Sequence, residues 1–228
     1  MGVAIRRAGA GDRDALARLL DEGFHHDPVS SWIFPDLEHR RSRHGVLMGA
    51  FLDSALDEGY VDMAEDGSAV ALWMSVPAGK HDESHETGVA AIGVSEGEGG
   101  GEGEGADDGA EPDEAQSVRA AVDPGNERVE QIVRLLGAAH PADRPHEYLM
   151  LITVSSDVRS QGVGAALIGS VLERCDREGL HAYLEASSER SSHLYERLGF
   201  AFTGSTIDLP DGPRMWPMWR EPRPLTAG

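Results

Sequence analysis

The sequence predicts an α/β fold, and two stretches of the chain carry that prediction. Residues 149–154 form an apolar run typical of a buried strand, and a polar, Gly-bearing turn leads from it into an Ala- and Leu-rich helical stretch. Residues 59–64 and 69–76 predict an antiparallel hairpin around the turn Glu65-Asp66-Gly67. A chain of 228 residues has room for one domain of about 150–200 residues plus an extra segment.

The N-terminal part predicts a short strand over residues 3–7 and two helices. Asp12 caps the first helix, which ends before Pro28 because the residue preceding a proline leaves the α region. Residues 29–35 are apolar and irregular, and belong either to the core or to a ligand pocket. A second helix is predicted over about 37–56.

Residues 78–126 differ in kind from the rest of the chain. Between Lys80 and Gly125 there are 13 acidic residues against Lys80 and Arg119, with few large apolar residues. Such a segment cannot bury enough apolar surface to offset its ordering entropy. We therefore predict a single domain over 1–77 and 127–222, a disordered acidic insertion over 78–126 and a tail over 223–228. The insertion is either an inert spacer, or it guards a pocket or recruits a basic partner.

Ordered structure is predicted to resume at Arg128 with a short amphipathic helix. A Pro-containing turn over 141–145 then leads into a strand over 147–154.

The turn that follows this strand predicts a phosphate site. Backbone N–H groups in the first turn of a helix lack partners within the helix, and the helix dipole places partial positive charge there. Gly162 and Gly164 leave those groups accessible, and Arg159 adds a charge. The local pattern is also compatible with an ordinary tight turn, and it differs from the loops that bind nucleoside triphosphates or dinucleotides. We expect a ligand that carries a diphosphate.

Three downstream motifs place this turn in a family context. Residues 183–187 (YLEAS) fit a following strand, Tyr195-x-x-x-Gly199-Phe200 lies on the next helix, and residues 210–219 (PDGPRMWPMW) fit a C-terminal hairpin. In this order, together with the Arg-x-x-Gly-x-Gly turn, they resemble the GNAT superfamily of acyl-CoA N-acyltransferases, closest to the puromycin N-acetyltransferase-like subgroup. The resemblance is strong over residues 140–220 and looser but collinear over 3–77.

The resemblance implies a GNAT fold with a mixed, mostly antiparallel sheet, a splayed central strand pair and about four to five helices. It implies acetyl-CoA as cosubstrate, with its pantetheine arm pairing like an extra strand and a backbone N–H aimed at the thioester oxygen. Ser191 stands where the subgroup often has an Asn, whose amide it cannot copy. The residues implied to hold acetyl-CoA are Ile152, Thr153, Val154, Arg159, Ser160, Gln161, Gly162, Val163, Gly164, Ala165 and Ser191.

Acyl transfer to an amine poses two proton problems, since an aliphatic amine with a pKa of about 10 must lose a proton and the departing thiolate needs stabilisation. The resemblance makes Tyr195 the candidate acid, and packing beside Phe200 is the alternative role. The candidate bases or amine ligands are Glu185 and Glu147, with Glu185 favoured as a lone acid in an apolar strand. His140 and His146 flank turns, where a histidine is usually solvated, so they are weaker candidates.

In GNAT proteins the loop between the first two helices commonly borders the acceptor site. The expected acceptor-binding residues are Phe24, Asp27, Trp32, Trp73 and Tyr148. His25 and His26 are adjacent on a turn and point apart, so we expect no metal site.

Composition narrows the partners and the compartment. A formal net charge of −20 argues against nucleic acid or an anionic membrane surface as partner. Cys175 is the single cysteine, no stretch approaches 18 apolar residues, and the N-terminus lacks the apolar core of a signal peptide. We therefore expect a cytoplasmic protein that acts as a monomer or homodimer.

The sequence thus predicts an N-acetyltransferase that moves an acetyl group from acetyl-CoA to a primary amine of a small molecule. The subgroup resemblance implies an antibiotic or aminoacyl-type acceptor, and with it antibiotic resistance. Two alternatives are acetylation of a peptide or protein amine, and a CoA-binding regulatory or interaction module without turnover.

Overall fold

The computed structural model of the protein describes residues 3–79 and 113–224, which form strands and helices in the expected alternation. The strands are β1 Ile5–Arg7, β2 Tyr60–Ala64, β3 Ala69–Val76, β4 His146–Val154, β5 His181–Ala186, β6 Ala201–Phe202, β7 Ile207–Asp208 and β8 Arg214–Arg220. The helices are α1 Arg13–Phe24, α2 Pro28–Ile33, α3 Leu37–Asp57, α4 Glu114–Val122, α5 Glu127–Ala139, α6 Val163–Glu178 and α7 Glu189–Arg197.

The strands form one sheet in the order β1-β2-β3-β4-β5-β8-β6, and β7 pairs with β8. Every neighbouring pair is antiparallel except β4–β5. The predicted mixed, mostly antiparallel sheet is therefore confirmed, and strands from both ends of the chain contribute to it. None of the helices in the described ranges is long and apolar enough to cross a membrane.

The centre of the sheet is irregular on both sides of β4. Leu72 of β3 stands opposite Leu151 and Trp73 opposite Leu149, so Met150 is an extra, bulged residue. Only residues 146–148 of β4 pair with β5, where they stand opposite residues 181–183. Beyond these residues the two parallel strands separate, as the family resemblance implied.

Helices cover both faces of the sheet, and each face has its own apolar core. Helices α1 to α5 contribute buried residues to one core, and α6 and α7 contribute to the other. The β4 side chains alternate between these cores: Tyr148 belongs to the first, whereas Leu149 belongs to the second.

Two sequence predictions are wrong, and both concern short helices. Residues 28–33 form α2, because Asp27 caps it through a 2.8 Å bond from Val29 N–H and Pro28 occupies the first position. Residues 114–122 form α4 inside the segment predicted to be disordered, capped by Asp113. Ala115, Val118 and Val122 recur at helical spacing and are buried.

The described residues therefore hold seven α-helices where four to five were expected. The rest of the predicted insertion, residues 80–112, and the end of the predicted tail, 225–228, lie outside the described residues.

Candidate active site

A cavity of about 600 Å³ lies where β4 and β5 separate. Its lining comes from α1, α2, α3, α5, β4, β5, α7 and β8, so the cavity passes through the sheet between the two cores. Nine of the residues predicted as site residues line it. They are Phe24, Asp27, Tyr148, Ile152, Thr153, Arg159, Glu185, Ser191 and Tyr195.

The N-terminus of α6 follows β4 and the short loop after it, and no side chain caps its first backbone N–H groups. Gly162 is the N-cap with φ of +82°, and as a glycine it offers no capping side chain. The first amide to bond back within the helix is that of Ala166, which donates to the Gly162 carbonyl at 2.9 Å. The N–H groups of Val163, Gly164 and Ala165 therefore precede the helix hydrogen bonds and suit an anion.

The rest of the loop is shaped by backbone geometry. Ser160 has φ of +65°, and Arg159, which lines the cavity, donates from Nε to the Val154 carbonyl at 3.3 Å. Gly164 packs closely on β4, because a Cβ there would lie 3.2 Å from Val154 Cγ2. Val154 thus faces α6. The loop residues from Ser160 to Ala165 adjoin the cavity without lining it.

Ser191 lines the cavity, but its hydroxyl is engaged in the first turn of α7. Oγ donates to the Ser188 carbonyl at 2.8 Å, and the Ser188 hydroxyl accepts from the Ser191 amide at 3.2 Å. The contact predicted for Ser191 would have to compete with this capping box.

Glu185 lies on β5 beside the hydroxyls of Tyr148 and Tyr183. Its Oε1 is buried and has no hydrogen-bond partner within residues 3–79 and 113–224. Burial raises the pKa of Glu185 to about 7, although the two tyrosine hydroxyls favour its ionised form. A carboxyl that titrates near neutral pH and borders a cavity is suited to take up a proton.

Tyr195 lies on α7 and is 9% exposed. Burial, reinforced by the charge of Asp27, raises its pKa to about 12, so the phenol keeps its proton near neutral pH. The ring also packs edge-on against Phe200 at 6.1 Å between centroids. Packing and a reactive hydroxyl are therefore compatible here, because the ring borders both the core and the cavity.

Glu147, the other predicted base or amine ligand, lies away from the cavity and does not line it. It is 2% exposed and accepts hydrogen bonds from Tyr60 at 2.6 Å, Ser75 at 3.0 Å and Arg174 at 3.1 Å. Arg174 belongs to α6, so Glu147 points to the opposite face of the sheet from Tyr148 and forms a saturated structural ion pair.

Two predicted acceptor residues also lie elsewhere. Trp73 is fully buried in the core beneath α6, where it stacks on Tyr60, because its position on β3 faces that side. Trp32 is buried and donates from Nε1 to the Pro210 carbonyl at 2.8 Å, so it anchors the C-terminal hairpin loop to α2. Neither residue lines the cavity.

His140 and His146 are buried rather than solvated. His146 donates from Nδ1 to the Arg144 carbonyl at 2.8 Å, and its Nε2 lies 3.0 Å from His140 Nε2. Burial lowers the pKa of His140 to about 3 and also lowers that of His146, so both rings are neutral near pH 7. His140 packs edge-on against the rings of Tyr148 and Tyr183, whose hydroxyls lie beside Glu185.

Sequence reasoning missed a polar cluster beside the cavity, of which Ser30 is the member that lines it. Asp21, His44 and Ser30 form a hydrogen-bonded chain, with His44 Nδ1 2.6 Å from Asp21 and Nε2 2.9 Å from the Ser30 hydroxyl. Asp21, His25 and His44 also bring potential metal-ligand atoms within 4.8 Å of one another. Because both His44 nitrogens are already hydrogen-bonded, an ion would have to displace one of these bonds. The expectation of no metal stays a prediction.

Several apolar residues of α3 and α5 line the cavity, as do Ser187 and Arg190. Helical periodicity marks the apolar ones as buried, but the same periodicity is typical of ordinary core residues.

Comparison with known proteins agrees with this geometry. Residues 124–221 match the model of an acetyltransferase (GNAT) domain. An uncharacterized N-acetyltransferase of Schizosaccharomyces pombe is 38% identical over 58 residues, which span 25% of this chain and 24% of that protein.

Solved structures share the fold of the described residues. One is described as histone acetyltransferase HPA2 and related acetyltransferase from Corynebacterium glutamicum, with a TM-score of 0.65, 24% identity and full coverage of both chains. Another is arylalkylamine N-acetyltransferase 2 from Aedes aegypti, with a TM-score of 0.60, 14% identity and coverage of 98% of this chain and 100% of the other. Residues 124–221 are thus similar to a GNAT acetyltransferase domain, and the fold of the chain is the one seen in these solved acetyltransferase structures.

Proposed function

We propose that the protein transfers an acetyl group from acetyl-CoA to a primary amine of a small molecule. The observation that carries the proposal is the meeting of two groups at one cavity. Glu185, whose pKa is about 7, and Tyr195, whose pKa is about 12, line the same space where β4 and β5 separate.

The α6 N-terminus fits the linked phosphates of acetyl-CoA. The N–H groups of Val163, Gly164 and Ala165 are unpaired within the helix, and Gly162 leaves the approach to them open. Arg159 supplies a positive charge at the cavity edge. When bound, acetyl-CoA supplies a thioester, which is the source of the acetyl group.

The proton steps fall to two side chains. An amine arrives largely protonated, since its pKa is about 10, and must lose a proton before its lone pair can attack. Glu185 Oε1, buried and without a partner in the described part of the chain, is the acceptor for that proton. The Tyr195 hydroxyl keeps its proton near neutral pH and donates it at the departing sulfur.

A small acceptor is favoured over a peptide by the walls of the cavity. The parts contributed by α2, α3 and α5 are buried side chains, which suit a compact molecule better than an extended chain. The resemblance to the puromycin N-acetyltransferase-like subgroup supports an antibiotic or aminoacyl-type acceptor, and hence a role in antibiotic resistance. The buried, unpaired Cys175 is in keeping with a reducing cytoplasm.

Thiol release tests the proposal. Acetyl-CoA is supplied with a panel of amine antibiotics, aminoacyl compounds, amino acids and polyamines, and free CoA is measured with and without the protein. We expect release that depends on at least one small amine, with a matching acetylated product by mass spectrometry.

Two other outcomes would contradict it. Mass gain on intact proteins or peptides, with no small amine turned over, would favour the peptide alternative. Calorimetric binding of CoA with no turnover on any amine would favour a CoA-binding regulatory module.

A further inference from the structure

The cavity has two chemically different parts. Near the gap between β4 and β5 its lining includes the carboxylates of Asp27 and Glu185, and α1 contributes Glu22. Away from the gap, the residues that α3, α5 and β8 contribute to the lining are all apolar, and α2 adds two apolar residues beside Ser30. The apolar residues are Val29, Ile33, Leu47, Met48, Phe51, Ile132, Leu136 and Met215, all buried.

The polar part of the cavity suits one ammonium group, placed beside Glu185. Each Asp27 oxygen already accepts one hydrogen bond, Oδ1 from Val29 N–H at 2.8 Å and Oδ2 from the Ser187 hydroxyl at 2.6 Å. Glu185 Oε1 is buried and lacks a partner among the described residues. A single ammonium group beside Glu185 would satisfy that oxygen, and Asp27 would add a favourable charge.

The apolar part offers nothing to a second cation. The residues that α3, α5 and β8 contribute to the lining carry no charged or hydrogen-bonding side chain. An ammonium group there would lose its hydration without gaining a partner, which disfavours binding strongly. A hydrocarbon chain, in contrast, gains from burial, by about fourfold in affinity for each CH₂.

We propose that the acceptor is a lipophilic monoamine, with one primary ammonium group beside Glu185 and an alkyl or aryl body between α2, α3 and α5. This inference rests on the proposed function and narrows its substrate class. Diamines, polyamines and amines that carry several charges bind less well, because the residues from α3, α5 and β8 offer a second ammonium group no partner.

A matched amine series tests the inference on the wild-type protein. The acceptors are n-butylamine, n-hexylamine and 2-phenylethylamine, with 1,4-diaminobutane and 1,6-diaminohexane as doubly charged counterparts. We expect kcat/KM to rise about 16-fold from butylamine to hexylamine, at about fourfold for each CH₂. Diaminohexane should be at least ~100-fold poorer than hexylamine. A flat series, or a diamine as good as its monoamine, would overturn the inference.

Binding separates this inference from the proposed function. The same amines are titrated by calorimetry into the protein saturated with CoA. Preferential binding of hexylamine without turnover would support the monoamine pocket and reject the transferase. Turnover together with equal binding of monoamines and diamines would support the transferase and reject the monoamine pocket. Absence of both turnover and amine binding would reject both.

Two substitutions on the same helix sharpen the test. Met48→Glu places a carboxylate in the apolar lining, whereas Val46→Glu adds the same charge at a position that is 44% exposed. We expect the diaminohexane-to-hexylamine ratio of kcat/KM to rise at least ~30-fold in M48E and to stay unchanged in V46E. An equal ratio in folded M48E would contradict the inference, and if M48E fails to fold, the wild-type series decides alone.

Discussion

The Ser187 hydroxyl donates a 2.6 Å hydrogen bond to Asp27 Oδ2, and so ties the end of β5 to the start of α2. The two residues are 160 positions apart in the chain. The same Asp27 caps α2 through its other oxygen and contributes to the raised pKa of Tyr195. One carboxylate therefore joins the two halves of the chain at the cavity and affects the electrostatics of the candidate acid.

Replacing Tyr195 with Phe should lower kcat at least ~10-fold, and by up to the ~10²–10⁴-fold that general acids contribute. The ring packing against Phe200 is kept, so the melting temperature should change little. CoA affinity should also hold, because Tyr195 lies on α7 and the phosphate site lies at α6. Steady-state kinetics and calorimetry check these expectations. An unchanged kcat would leave Tyr195 with a packing role alone.

Activity should depend on the ionised form of Glu185. Since burial raises its pKa to about 7, kcat/KM for the amine at saturating acetyl-CoA should fall about tenfold per pH unit below pH 7 and level off just above it. Glu185→Gln should remove this limb and lower the rate at pH 8. A pH profile that is the same in both proteins would exclude Glu185 as the base.

The same group should make stability depend on pH. Folding raises the pKa of Glu185 from an ordinary value of 4.5 to about 7, so its contribution is fully present below pH 4.5 and is lost as pH rises through 7. The loss amounts to ~2–3 kcal/mol between pH 5 and 8. Glu185→Gln lacks this titration, so the difference in unfolding free energy between wild type and E185Q should shift by that amount in favour of E185Q. Urea unfolding at both pH values measures it, and a constant difference would contradict the burial of the carboxyl.

Gly162→Ala should weaken CoA binding about tenfold, which corresponds to the loss of about one backbone hydrogen bond. A Cβ at φ of +82° strains the loop that presents the α6 amides. Gly67→Ala is the matched control, because Gly67 has φ of +76° in the turn between β2 and β3. Both variants should lose about 1 kcal/mol of stability, but only the first should raise the Kd of CoA. Equal Kd values in both would argue against a phosphate site at α6.

Glu147→Gln should destabilise the protein without impairing turnover. The substitution leaves Arg174 without its charged partner and disturbs bonds from Tyr60 and Ser75, at a cost of ~1–3 kcal/mol. Because Glu147 faces away from the cavity, kcat and the KM of the amine should stay within about twofold of wild type. A folded variant that loses turnover would restore Glu147 as a catalytic candidate.

The limits of sequence reasoning show most clearly in α4. The high acidic content between Lys80 and Gly125 predicted disorder up to residue 126. Averaging over that whole segment masked a local pattern, in which Ala115, Val118 and Val122 form a narrow apolar stripe. The stripe is stable because it packs with α3 and α5, and such tertiary burial is not visible in composition.

Sequence alone determined the features that depend on neighbouring residues, because backbone geometry and helix capping are local. These features are strand β4, the glycine turn after it, the start of α6 and the Tyr195 motif. Only the tertiary structure decided which of the two strand carboxylates, Glu147 of β4 or Glu185 of β5, lines the cavity. Helices cover both faces of the sheet, so alternation along a strand leaves the two faces equivalent in the sequence. The pairing of Tyr148 with Tyr183 puts Glu185 on the cavity side, two residues along β5, and leaves Glu147 facing Arg174 on α6.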